Sequence, residues 1–569
     1  PEVLVPRYLR LPIGGRIDRS GAESEALDEA DVRRAAEIFA AEGVEAVAIC
    51  LFNSYLNPDH ERAAEKGLRA CWSGEWISRS SDIAPVMGEY ERTSTAVLNA
   101  YVAPRTVSYL RKLDRQLAQL GLPSPMLLIQ NNGGAVSVEQ IADRPVMLLL
   151  SGPAAASGAL ALYSKMIGSQ NLISMEIGGT SCDVALMSGG RVGHADHLEI
   201  SSYHAAVPSV EIHTVGAGGG TIAGLDGAGL LMVGPQGAGA HPGPACYGYG
   251  SVTPTVTDAL VVLGRLSAAT YAGGAVTIDE ALAHRAIERS VAAPLGISRD
   301  EAAVGIILLM EQKLLHAVQQ ISIQRGHDPR RFALIACGGA GALHGAAVAR
   351  KLNCPTLYVP RIAGAFCALG MLNSDVRHDY SLAHADAIEN VDIDRMAEQF
   401  AALDRRARKT LEKEGFSDED MALVRFASLR YSGQQWTLKI AFENGELDVA
   451  TLRENYRAEY QRLFGHVQEN GEIQISSLHV AGVGRLPPLE LAAAAPATGP
   501  AVPLDHRYVW VDEKIGRANV PIYRGSDLHP GHLVAGPALI NEKTTTVFVG
   551  AGDRLEVDPA SNFRIFISS

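Results

Sequence analysis

Residues 171–187, NLISMEIGGTSCDVALM, decide how the chain is read. Leu172 to Ile177 is a short apolar run with the length of a buried strand. It breaks at Gly178-Gly179-Thr180-Ser181 and resumes through Val184 to Met187, ahead of a Ser188-Gly189-Gly190 turn. The pattern predicts a hairpin. Adjacent glycines permit close backbone approach to a ligand, and Thr180 and Ser181 add hydroxyls, so the tip suits a phosphate. Glu176 and Asp183 flank it and can hold a divalent cation, directly or through water. The plainer reading is an ordinary hairpin, and a lone GGTS does not separate the two.

Working outward, 569 residues suffice for two to four well-filled domains. Hydrophobic residues at 47% and charged residues at 20% are ordinary for a globular protein. The 57 glycines cluster at a few places, which points to loops built for close approach rather than to low complexity. A net charge of −13 argues against nucleic-acid or anionic-membrane partners. Seven scattered cysteines without CxxC form neither a disulfide framework nor a zinc ribbon, and fit a reducing cytoplasm. No apolar segment reaches membrane-spanning length. The opening PEVLVPRYLRLPIGG, without Met, reads as the middle of a longer polypeptide.

Before the hairpin, Asp28 to Glu42 reads as an amphipathic helix stopped by Gly43, and Val44 to Phe52 as a buried strand, together one αβ unit of a layered domain. A second helix over Pro58 to Cys71 leads to a strand at Trp76. Tyr90 to Leu120 is a long helical run that Pro104 is expected to kink or divide. Met126 to Gln130 is the next strand, ending in Asn131-Asn132-Gly133-Gly134. That is either a plain Asn-Gly turn or a polar ligand-binding edge. Ser151-Gly152-Pro153 opens a small-residue helix, an anion site in principle or simply a tight helix–sheet contact.

After it, Gly218-Gly219-Gly220 and the Gly/Pro-rich 234–250 segment are expected to be irregular, and ordered loops of this kind are usually functional. His213 and Asp258 border the region as ligand or proton-carrier types, or as hydrogen-bonded core and turn residues. Further on, RFALIACGGAGALHGAAVARKL (331–352) is a strand, a glycine loop and a helix. Amide groups and a helix dipole face such a loop, but it lacks the Lys-Ser/Thr of a Walker A motif and the GxGxxG spacing. From about Asp386 a charged helix precedes β-rich sequence. An Ala/Pro linker over 491–503 leads to a last β-rich module, whose threonines 544–546 read as strand formers.

The order of these motifs is specific: ERTSTAVLNAYVAP (91–104), IQNNGG (129–134), LLSGPAAA (149–156), MEIGGTSCDV (175–184), HTVGAGGGTIA (213–223), GPQGAGAHPGPACYG (234–248), TVTDALVVLGRL (255–266) and RGHDPRRFALIACGGAGALH (325–344). Over essentially the whole chain it resembles the hydantoinase A / N-methylhydantoinase A and 5-oxoprolinase family, which includes subunits of acetone and acetophenone carboxylases. The resemblance implies an α/β fold of the ASKHA type (actin, hexokinase), with ribonuclease-H-like lobes holding nucleotide between them and a C-terminal β-rich module. The expected domains are 1–165, the remainder of the N-terminal lobe; 166–385, the second lobe with its glycine-rich insertion; and 386–569. ATP and Mg²⁺ (or Mn²⁺) are the implied cofactors. Gly178, Gly179, Thr180 and Ser181 are expected on phosphates, and Gly338, Gly339, Ala340, Gly341 and His344 on the nucleoside side. Asp183 and Glu176 are expected around the metal, with His213 as a proton carrier.

By the same resemblance, the chain is expected to be the A-type subunit of an ATP-dependent cyclic-amide hydrolase. It would activate a ring carbonyl by phosphorylation and work with a hydantoinase B-type subunit in a homo- or hetero-oligomer, without nucleic acid or membrane. The alternatives are a ketone carboxylase subunit and a non-hydrolysing nucleotide-binding scaffold. Two departures accompany the resemblance. Family members usually carry a first GGT-type loop upstream, so half the phosphate cradle is expected from a missing segment or another polypeptide. Glu176 and His241 stand where the family usually has Asp.

Overall fold

A computed structural model describes residues 3–268, 271–274, 276–434, 436–442, 447–491 and 494–568. The fold is mixed α/β, and the chain divides into two units, each assembled from three separate stretches. Among the described residues no helix is long and apolar enough to cross a membrane.

One unit draws on Pro1–Ala155, His194–Val210 and Ser374–Pro487. Its first helix, Glu29–Ala41, starts where Asp28 accepts hydrogen bonds from the Ala30 and Asp31 amides, and it buries Val32, Ala35, Ala36 and Phe39. That face packs with Ala64, Leu68 and Trp72 against a parallel pair of strands, Ala46–Ile49 and Trp76–Arg79. The helix Glu89–Gln119 continues through Pro104 rather than dividing. The missing N–H costs about 3 kcal/mol, and burial of Leu98, Ala103, Val107 and Leu110 offsets it.

A six-stranded sheet completes this unit in the order Leu438–Ala441, Met421–Tyr431, Ile473–Gly484, Val376–Ala387, Ala135–Ser137, Leu127–Ile129. Within the Asn131–Gly134 turn, the Asn132 side chain is spent on internal hydrogen bonds. Asn132 Nδ2 donates to Asp379 Oδ2 at 2.6 Å, and Asn132 Oδ1 accepts from the Gly134 amide. Burial pushes Asp379 up, but Arg377 and Lys439 outweigh it and hold the carboxyl well below its ordinary value.

The other unit draws on Ala156–Gly193, Glu211–Asn373 and Pro488–Ser569. Its elements are α1 (Ala156–Ile167), β1 (Leu172–Ile177), β2 (Cys182–Ser188), β3 (Ile212–Val215), α2 (Val256–Val262), α3 (Arg299–Ile321), β4 (Ala333–Cys337), α4 (Gly338–Leu352), β5 (Thr356–Val359), α5 (Phe366–Leu372), β6 (Leu533–Ala535), β7 (Arg554–Val557) and β8 (Phe563–Phe566). One sheet runs β3-β2-β1-β4-β5-β8-β7-β6, with Arg191–Val192 paired to β2. The pairs β1–β4 and β4–β5 are parallel; the other neighbours along this order are antiparallel. The continuous apolar runs of β1 and β4 are buried, as central strands require.

These boundaries differ from the expected 1–165, 166–385 and 386–569. The helix Ile393–Lys413 and the long strands up to Gly484 belong with the opening residues, whereas 488–569 joins the glycine-loop unit. Apolar faces pair where they fit, regardless of chain order. Val534, Leu555, Phe563 and Ile565 therefore bury with Leu357 and Val359 in one core.

Part of the glycine-rich insertion is regular after all. Leu231–Gly237, which includes Gly234 and Pro235, pairs antiparallel with Thr221–Leu225, and the register shifts between Thr221 and Ala223. A two-stranded ribbon tolerates such a proline at its irregularity. Asp258 is a structural cap. Fully buried, it accepts from the Ala245, Cys246 and Thr255 amides and from Thr255 Oγ1, at 2.8–3.1 Å. Asp258→Ala should leave those donors unpaired and cost about 3 kcal/mol, read as lost stability in urea titrations.

Candidate nucleotide and metal site

The parallel register of β1 and β4 sets Cys337 opposite Glu176, so both strands end at one edge of the sheet and their glycine turns emerge together. Gly338 has φ +78°, and a Cβ there would lie 2.3 Å from the Ile177 carbonyl oxygen. Only glycine permits that approach. Gly341 brings α4 against the same strands, where a Cβ would stand 3.4 Å from the Met175 carbonyl oxygen. Gly338, Gly339 and Ala340 form the first turn of α4, with no acidic residue and no side-chain cap. Their amides, together with the helix dipole, favour an anion.

The Gly178–Ser181 turn is exposed at Gly178, Gly179 and Thr180 and closed by a 3.0 Å bond from the Gly178 amide to the Ser181 carbonyl. The 218–220 glycines lie directly against it. The Gly219 and Gly220 amides donate to the Gly178 and Gly179 carbonyls at 3.0 and 2.7 Å. A Cβ on Gly218 would come within 2.6 Å of the Thr180 nitrogen. The Gly219 carbonyl in turn accepts from the Thr257 amide and Oγ1 at the start of α2. The glycine triplet is thus a backbone brace for the turn.

Glu176 and Asp183 are direct cross-strand partners, both half-buried. Asp183 accepts from Thr214 Oγ1 at 2.6 Å and from Ser181 Oγ at 3.5 Å. Glu176 Oε2 accepts from the Cys367 thiol at 2.7 Å. Burial raises the pKa of Glu176, and the nearby Asp183 charge raises it further; burial likewise raises Asp183. Among the described residues no set of three or more His, Cys, Asp or Glu groups is arranged for a metal ion. The two carboxylates still fit Mg²⁺, which commonly takes one or two carboxylates and completes its sphere with water and phosphate oxygens. A cation would also relieve the repulsion between them.

Two expected residues lie elsewhere. His213 pairs with Val184, whereas its neighbour Thr214 pairs with Asp183, so strand alternation turns His213 to the opposite face. There, burial lowers its pKa, with His316 and Arg325 adding to the effect. His344 is fully buried within α4, its Nδ1 3.9 Å from Glu311 Oε1 of α3, away from the exposed Gly339. Conversely, Thr214 and Cys367 were not singled out. Alternation along β3 could have revealed Thr214; nothing in the local sequence marks Cys367. The 544–546 threonines are partly strand formers, but Thr545 Oγ1 also donates to the Gly339 carbonyl at 3.1 Å. A Cβ on Gly364 would meet the Thr544 Cβ at 2.7 Å, so this hairpin tip packs closely on Gly364 as well.

Fold and site define a layered α/β protein with a glycine-lined sheet edge beside a carboxylate pair. The chain belongs to the hydantoinase/oxoprolinase family: the Hydantoinase/oxoprolinase model matches residues 92–380, its N-terminal region 2–71 and its C-terminal domain 384–567. It is 36% identical over 573 residues to the caprolactamase subunit alpha of Pseudomonas jessenii, spanning 99% of this chain and 82% of that protein. The crystal structure of the ATP-dependent caprolactamase from Pseudomonas jessenii superposes with a TM-score of 0.91 at 35% identity, covering 100% of this chain and 84% of that one. A nucleotide-free acetone carboxylase structure gives 0.79 at 26% identity, covering 99% and 82%. The 5-oxoprolinase of Saccharomyces cerevisiae is 28% identical over 557 residues, 91% of this chain and 41% of that protein.

The raised carboxyls have a consequence for stability. A carboxyl whose pKa is higher in the folded state favours folding below the ordinary carboxylate range, and that contribution is lost as pH rises through the raised value. Without metal, Glu176→Gln should therefore raise Tm by roughly 1–3 °C at neutral pH and leave it unchanged near pH ~4, as followed by calorimetry.

Proposed function

We propose that this chain is the nucleotide-binding, A-type subunit of an ATP-dependent cyclic-amide hydrolase, completed by a B-type subunit. The observation that carries the reading is the convergence of two glycine turns, some 160 residues apart in sequence, at one end of the adjacent parallel strands β1 and β4. The β3-β2-β1-β4-β5 order, antiparallel strands followed by parallel ones, supports a ribonuclease-H-like sheet of the ASKHA type. The likeness to caprolactamase supports the hydrolase reading. A ketone carboxylase subunit is the second reading, favoured by the likeness to acetone carboxylase. The seven free thiols fit a cytoplasmic enzyme.

In this reading the Gly178–Ser181 turn holds phosphate oxygens through the Gly179, Thr180 and Ser181 amides and the Thr180 hydroxyl, while the Gly178 amide closes the turn. Gly338 to Gly341 face the nucleoside side, with the N-terminus of α4 stabilising negative charge. Glu176 and Asp183 hold Mg²⁺ or Mn²⁺. Ser181 and Thr214 donate to Asp183 and fix its orientation. When bound, the metal nucleotide would supply a phosphoryl group to the ring carbonyl oxygen, making its carbon electrophilic enough for water to add; the C–N bond would then break with the nitrogen leaving as the amine, and a second water would release phosphate. His213 and His344 take no part, because one faces the other side of the sheet and the other lies in the core.

ATP consumption measured with caprolactam, hydantoin, N-methylhydantoin or 5-oxoproline, and separately with acetone plus bicarbonate, each with and without a B-type partner, tests the proposal. Turnover with a cyclic amide is expected. Turnover with acetone and bicarbonate alone establishes the carboxylase, and nucleotide binding without turnover under any condition establishes a scaffold. Asp183→Asn should lower the amide-dependent rate by about a hundredfold, whereas His213→Gln should leave it within about twofold.

A further inference from the structure

We infer that Cys367 is a positioning residue: its thiol fixes the carboxylate arm of Glu176 opposite Asp183, so that the free oxygen of Glu176 meets a divalent cation. The inference rests on the reading above that these two carboxylates hold the metal.

The two arms of the pair are unequal. Asp183 is short, and both its oxygens have donors on neighbouring strand and turn residues, Thr214 and Ser181. Glu176 carries one more methylene and one more rotatable bond, and a longer arm loses more conformational freedom when it is held. The donor the structure gives it comes from α5, some 190 residues further along the chain: Cys367 Sγ lies 2.7 Å from Oε2. That contact uses one carboxylate oxygen and leaves Oε1 for another partner.

The thiol is itself well placed to hold still. It follows Phe366, which is fully buried and stacks on Tyr163 of α1 with ring centroids 5.8 Å apart; Leu369, one turn on, is also buried. Neighbouring packing therefore sets where the sulfur sits. A protonated thiol is a poor ligand for a hard cation that prefers oxygen. Its effect on the metal is exerted through Glu176.

Mn²⁺ binding in the presence of a non-hydrolysable ATP analogue, followed by electron paramagnetic resonance, tests the inference without relying on turnover. Four proteins form a cycle: the unaltered chain, Cys367→Ala, Glu176→Asp, and the double variant. Cys367→Ala should weaken Mn²⁺ binding by roughly threefold to tenfold, and Cys367→Ser, which keeps a donor, should stay within about twofold. In the Glu176→Asp background the shorter arm does not reach α5, so Cys367→Ala should have no further effect. Unchanged Mn²⁺ affinity in Cys367→Ala overturns the inference, as do equal losses in both backgrounds, which mark a packing role for α5. If Glu176→Gln and Asp183→Asn bind Mn²⁺ as tightly as the unaltered chain, or the unaltered chain binds none, the metal reading itself falls and the positioning role falls with it.

Discussion

The site depends on a single close contact: the backbone of Ile177, at the end of one central strand, lies against Gly338, at the end of its parallel neighbour. Parallel pairing alone makes the two strands finish at the same edge. The missing side chain at Gly338 then lets the two turns meet, because any Cβ would sit inside the Ile177 peptide. Its positive φ turns the chain at once into α4, so the first amides of that helix are delivered to the edge where the GGTS turn also ends. An edge of this kind, outside the carboxyl ends of parallel strands, is where open α/β sheets bind ligands.

Around that contact the molecule gathers opposing demands. The sheet needs dry, apolar strands, and β1, β2 and β4 are buried nearly throughout. Charge sits at its margin, where Glu176 and Asp183 face each other across one antiparallel pair. Half-burial makes both carboxyls harder to ionise and makes a cation more welcome. Donors hold the pair in place: two on Asp183 from its own strand neighbourhood and one on Glu176 from a distant helix. Two other buried carboxylates face cationic partners. Asp379 is balanced by Arg377 and Lys439, and Glu311, despite the cost of burial, is held low by His344, Arg265 and Lys351.

The glycine-rich region shows how little backbone freedom need mean flexibility. Gly218, Gly219 and Gly220 are buried, and two of them donate to the GGTS turn. Their lack of side chains brings one loop onto another at main-chain distance, and Thr257 at the start of α2 ties the second loop down. The Thr544–Thr545 tip does the same for Gly339 and Gly364, from residues far along the chain. In each case glycine is the surface against which another backbone or side chain rests.

What the sequence determined by itself was local and periodic. The apolar run of 172–177, the break at GGTS and the strand after it follow from alternation and turn chemistry. The helices capped by Asp28 and ended near Cys71, and the strand–loop–helix at 331–352, were legible for the same reason. The motif order was enough to place the chain in its family. Only the tertiary structure decided which of these pieces share a unit and which side chains face one another. The units interleave three stretches each because apolar faces are satisfied in space rather than along the chain. His213 was attractive by residue type, yet one step along β3 puts it on the other face and gives Thr214 the place beside Asp183. Cys367 reaches Glu176 only because α5 packs where it does, and a contact between residues so far apart leaves no mark on the local pattern of either.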